Sequence, residues 1–130
     1  MKKILFAGLL ACSALYAQAQ PELYFIEPVD GATVTSPVTV KFGLKGFGVA
    51  PAGVPFNNTG HHHLIVDAPL PALDKPIPAD KNHLHYGAGQ TETTLDLAPG
   101  KHTLQLLLGD HLHTPHKDPI ISKQITITVK

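Results

Sequence analysis

LDLAPGKHTLQL, residues 95–106, carries one short strand into another around the corner Ala98-Pro99-Gly100. Thr91 to Leu97 is extended before the corner. After it, a strand runs from His102 to Leu108 and places His102, Leu104, Leu106 and Leu108 on one face. This is the kind of corner that enters the sixth strand of an immunoglobulin-like domain.

The flanking sequence agrees. Pro37 to Leu44 alternates, with Val38, Val40 and Phe42 on one face and Thr39 and Lys41 on the other. Leu23 to Glu27, His61 to Asp67, His83 to Tyr86 and Ile120 to Val129 complete a set of about seven short strands. Asp30-Gly31 and Gly87-Ala88-Gly89 are turns. Lys45 to Gly60 and Gly109 to Pro119 are loops, and Ala68 to Asp80, with four prolines, is an extended connection. Helix signals are nearly absent. The sequence therefore predicts an all-β, immunoglobulin-like antiparallel sandwich, with a different Greek-key sandwich or a small barrel as the alternative.

The N-terminus predicts export. Lys2 and Lys3 precede an uncharged apolar run from Ile4 to Leu15, which is of signal-peptide length and short for a membrane span. Ala17-Gln18-Ala19 fits cleavage before Gln20, so residues 1–19 are the expected signal peptide and 20–130 a single domain in the periplasm or outside the cell. Leu9-Leu10-Ala11-Cys12 loosely resembles a lipobox, but its apolar run is short and a better cleavage site follows. No later segment is apolar enough to be a membrane span.

Residues 20–130 carry eight lysines and ten carboxylates, a formal charge of −2, and the chain has no arginine. Arginine is the usual reader of phosphate and base edges, so nucleic acid is not an expected partner. The single cysteine lies in the leader and the single methionine is the initiator. The remaining chain thus has no sulfur ligand and no disulfide, and depends on core packing.

Nine histidines stand out against this background. Three pairs share one spacing: His61/His63, His83/His85 and His111/His113, with His116 close behind. On a strand, residues i and i+2 project from the same face roughly 6–7 Å apart, and two imidazoles so placed can converge on one ion at the ~2.0–2.1 Å bonds of zinc. The sandwich topology gathers the loops around His61, His85 and His111 at one end. The candidate metal ligands are therefore His61, His63, His85, His111, His113 and His116. Imidazoles without sulfur suit Cu(II), Zn(II) or Ni(II), with copper or zinc the expected cofactor. Asp67, Asp110 and Asp118 are candidate partners for the rings' second nitrogens.

Three histidines read differently. His62 alternates onto the Leu64/Val66 face, opposite His61 and His63, and is open to a structural role. His102 belongs at the far end as a hydrogen-bonded corner residue. His83 is expected to be solvated and further from the cluster. Asn57-Asn58-Thr59 has the form of a glycosylation site, but after a bacterial-looking leader it is read as a turn. No Ser/His/Asp or Cys/His arrangement and no phosphate loop is present, which points away from an enzyme.

GHHHLIVD, NHLHYGAGQTE, LAPGKHTLQL and GDHLHTPH together resemble a bacterial family of short exported domains, known as domain of unknown function forty-three ninety-nine. The resemblance runs from about Pro28 to Val129. It implies that His61, His63, His85, His102, His113 and His116 lie in the family's motif stretches, with Gly60, Gly87, Gln90 and Glu92, and it brings no activity. GHHHL is also similar to the HxH strand of copper–zinc superoxide dismutases, but the other ligands and the disulfide of those enzymes are missing. Three functions stay open on the sequence: a metal-binding module for sequestration or delivery, an envelope interaction module without a dedicated metal, and a small metalloenzyme.

Overall fold

The computed structural model describes residues 19–130. Residues 1–18, with Lys2, Lys3, Cys12 and all of the expected leader but Ala19, lie outside the described residues. No α-helix occurs among the described residues, which form nine strands: β1 (Glu22–Glu27), β2 (Thr33–Val34), β3 (Val38–Lys45), β4 (Gly48–Val49), β5 (Thr59–Val66), β6 (His83–His85), β7 (Glu92–Leu95), β8 (Gly100–Gly109) and β9 (Ile125–Val129).

The strands form two sheets. One has the order β1-β3-β7 and the other β2-β9-β8-β5-β4, with β6 also paired to β5. This is the division of an immunoglobulin-like sandwich. All seven expected strands are present. The two additional ones, β2 and β4, contain two residues each and pair in parallel with β9 and β5. The larger sheet is thus mixed, whereas β1-β3-β7 is wholly antiparallel, and β4 lies inside the stretch from Lys45 to Gly60 expected to be loop. Conversely, the last strand starts at Ile125, not Ile120. Residue Ile121 contributes only an isolated bridge to Leu107, because Pro119 and the Ser122 side chain interrupt the ladder: Ser122 Oγ accepts the Leu106 amide and donates to the Lys123 carbonyl.

Strand alternation sorts the side chains into two cores. Leu64 and Val66 of β5, Leu104, Leu106 and Leu108 of β8, and Ile125, Ile127 and Val129 of β9 pack against Val38, Val40 and Phe42 of β3 between the sheets. The opposite parity puts Ile65 and Leu107 on the outer face of the larger sheet, where Ile77 of the proline-rich connection covers them. Leu64, Leu104, Leu106, Leu108 and Ile127 have no exposed surface. Each such side chain stabilises the fold by about 1.5–3 kcal/mol.

The corner before β8 is held by His102. Its Nδ1 lies 2.7 Å from Asp67 Oδ2 and its Nε2 2.8 Å from the Ala98 carbonyl. Both partners are acceptors, so the protonated ring can donate to both at once. Asp67 and then the Ala98 carbonyl raise its pKa above the usual 6.5. Asp67 Oδ1 also accepts the Thr103 amide. His102 occupies the place of the tyrosine corner in immunoglobulin domains, bonding back to the backbone four residues upstream.

Candidate metal centre

β5 supplies the first two ligands. Residues 61 and 63 share the outward parity with Ile65, and their cross-strand partners on β8 are Gly109 and Leu107. His85 comes from β6, directly opposite His63. His113 comes from the turn after β8. There Asp110 Oδ1 accepts the amides of Leu112 and Thr114, the Asp110 amide donates to the Thr114 carbonyl, and the His113 amide donates to the Asp110 carbonyl. This turn holds His113 in the left-handed region at φ 64°, a conformation that histidine tolerates better than most residues. The Ile77 amide donates to the His113 carbonyl at 2.8 Å and ties the turn to the proline-rich connection.

One ligand nitrogen from each of His61, His63, His85 and His113 lies within 4.8 Å of the others. His61 is at the centre: its Nε2 is 3.1 Å from His85 Nε2 and 3.1 Å from His113 Nδ1. His63 packs beside it, with ring centroids 4.7 Å apart. Four ligands at ~2.0–2.1 Å in a tetrahedron stand about 3.3 Å from each other; the two His61 contacts at 3.1 Å are close to that, and the group as a whole spans up to 4.8 Å.

Protons alone satisfy this group poorly. If His61 Nε2 carries a hydrogen, it serves only one of its two neighbours. If it accepts from both, the proton sits on Nδ1, which is buried without a partner. His63 Nδ1 is likewise buried and unpartnered. An ion among these nitrogens would replace the ring-to-ring contacts, each ring offering it a lone pair, while His61 Nδ1 would keep its proton, as it does when Nε2 accepts from both neighbours.

The two buried rings of the cluster favour the neutral form. Burial, then the neighbouring His85 and His113, lowers the pKa of His61 to about 4 despite an opposing effect of Asp110. Burial, then His61, His85 and His113, lowers His63 to about 3. His85 is lowered by burial and His113. Neutral imidazole is the form that binds metal.

Three glycines make room for histidine rings. A β-carbon on Gly109 would lie 2.7 Å from His63 Cε1, one on Gly60 2.9 Å from His116 Cε1, and one on Gly87 2.6 Å from His85 Nε2. All three serve close approach rather than a left-handed backbone. A cleft of about 190 Å³ opens beside the cluster, lined by His63, His85, His113, Pro76, Ile77 and Ala79. Gly109 and this lining were not among the sequence-derived site residues. A glycine ending the apolar run before GDHLH, opposite His61, is the signal that marks Gly109.

The structure brings together four of the six expected ligands; His111 and His116 stand apart from the group. His111 faces a separate shallow cleft with Val54 to Thr59, and His116 shares it. His116 Nε2 donates to the Thr59 carbonyl at 3.0 Å, and its ring meets Phe47 edge-on. His62 is buried between the sheets against Phe42, with both ring nitrogens unpartnered. His83 is not free in solvent: its Nδ1 pairs with Asp80 at 2.8 Å, and it stands opposite Ile65 rather than at the cluster. Of the carboxylates, Asp110 shapes the His113 turn and acts on His61, Asp67 engages His102, and Asp118 lines a groove with Phe47 and His116.

Two sheets in immunoglobulin-like order with four convergent imidazoles on an outer face define a histidine-rich β-sandwich whose centre could hold a metal ion. The chain belongs to the family described as domain of unknown function (DUF4399), whose model matches residues 40–130. No curated protein matches it. Among solved structures it is similar to the endo-beta-1,4-mannanase from Thermotoga petrophila, with a TM-score of 0.54 and 15% identity over 88% of this chain. That likeness is one of fold, and the chain spans 21% of the mannanase.

Proposed function

We propose that this protein is an exported metal-binding module that takes up Cu(II) or Zn(II) through His61, His63, His85 and His113, for sequestration or delivery. The observation that carries this reading is the convergence of four imidazole nitrogens within 4.8 Å. The ligand chemistry supports a borderline divalent ion, since residues 20–130 offer no sulfur. The leader sequence supports export. Partial exposure supports exchange: His61 and His63 are buried, whereas His85 is exposed at the sheet's edge. The cleft lining offers no acid or base other than the imidazoles, which gives the metalloenzyme reading less support.

The test is calorimetric titration of the untagged protein from Gln20 onwards with Cu(II) and Zn(II) in separate runs. Binding tighter than about 1 μM, equivalent to ~8 kcal/mol, is expected at one equivalent. The double change His61→Ala/His63→Ala should abolish it, and His111→Ala should leave it intact. Weak uptake at several equivalents, unchanged by the double substitution, would favour an envelope module without a dedicated metal.

A further inference from the structure

The cluster is closed on the side of the sheet but faces the cleft of about 190 Å³ on another. One water occupies about 30 Å³ of liquid, so the cleft has room on the order of six waters, far more than a bare ion requires. Three of the four histidines line it, His63, His85 and His113, and its remaining wall is aliphatic: Pro76, Ile77 and Ala79. That wall contributes no carboxylate and no side-chain hydroxyl.

Charge gives the cleft a preference. Four neutral imidazoles leave the charge of a divalent ion uncompensated. Asp110 acts on His61, but its Oδ1 already accepts the Leu112 and Thr114 amides, and it does not line the cleft. An aliphatic wall lowers the local dielectric and strengthens the attraction between the ion and an anion entering beside it. The same wall offers no side-chain hydrogen bond to a larger polar ligand. Size, shape and charge together select a compact monoanion of a few heavy atoms.

Resting on the metal reading above, we infer that this cleft admits a small monoanion as an exogenous ligand of the bound ion. The anion adds at the metal, and no bond within the protein is broken. Ala79 is part of the cleft wall. It is exposed on the connection between β5 and β6, so a larger side chain there fills the cleft without entering either core.

Azide is the probe. The untagged protein is loaded with one equivalent of Cu(II), and electron paramagnetic resonance first establishes that nitrogen ligands hold the copper. Sodium azide is then titrated while the azide-to-copper charge-transfer band and the g-values are followed. Wild type is expected to give a saturable new band with a shift in g. Ala79→Phe should load copper equally but bind azide at least about tenfold more weakly, a change of ~1.4 kcal/mol. If phenylalanine disturbs copper loading, Ala79→Leu is the smaller filler and should weaken azide to a lesser degree. No azide band on copper-loaded wild type, or a band unaffected by both fillers, overturns the inference and leaves the four-histidine reading standing. Failure of wild type to load copper on nitrogen overturns both.

Discussion

The imidazole of His85 rests against the backbone of Gly87, so closely that a β-carbon at residue 87 would lie 2.6 Å from His85 Nε2. The same nitrogen is 3.1 Å from His61 Nε2. Gly87 is therefore a positioning residue for the centre, although it offers no ligand atom. Gly87→Ala is expected to swing the His85 ring out of the group and weaken metal binding by roughly 10–100-fold, the usual effect of disturbing a ligand's support. Calorimetry reads the affinity. An unchanged melting temperature without metal separates misplacement of the ring from unfolding.

His62 is expected to be a liability that the fold carries. It has no exposed surface, packs 4.9 Å from the Phe42 ring, and finds no partner for either nitrogen. Burial lowers its pKa to about 4. His62→Leu replaces two unsatisfied polar atoms with methyl groups of similar bulk and should stabilise the metal-free protein by about 1–3 kcal/mol in urea unfolding. The ring faces away from His61 and His63, so metal affinity should not change. A loss of affinity would show that the two faces of β5 are coupled.

The His102–Asp67 pair makes a prediction about rising pH. The folded pKa of His102 lies above its unfolded value of 6.5. Its contribution is therefore complete below pH 6.5 and is lost as pH rises through the folded value. Melting temperatures measured across this range should fall for wild type. In Asp67→Asn the fall should be shallower from a lower starting point. Asparagine is the conservative choice because residue 67 has φ 52° and asparagine tolerates that backbone. Equal slopes in the two proteins would remove the proton from the account of this corner.

Strand parity was the most legible feature of the chain. Alternation separates His61 and His63 from His62, and the structure keeps them on opposite faces of β5. The corner at residues 98–100 locates β8 within a residue or two. Spacing failed where the backbone stops being a strand. His111 and His113 share the i, i+2 interval of the other pairs, but they sit in a turn fixed by Asp110, where period 2 has no meaning; only His113 reaches the cluster. The two-residue strands were illegible because each has too few residues to show a pattern, and β2 pairs with a segment remote in sequence. The cleft wall was illegible for a related reason: Pro76, Ile77 and Ala79 are ordinary connection residues until the chain lays them over the outer face.

His85 and His113 lie 24 and 52 residues beyond His61, and only the folded sheet brings the three together. An ion bound there would act as a cross-link. It would close two long chain loops in a stretch, residues 20–130, that contains no cysteine to close any. Binding to the folded state alone stabilises it by mass action. The domain's resistance to unfolding would then follow the metal content of its surroundings, much as that of other small sandwiches follows the redox state of their disulfides.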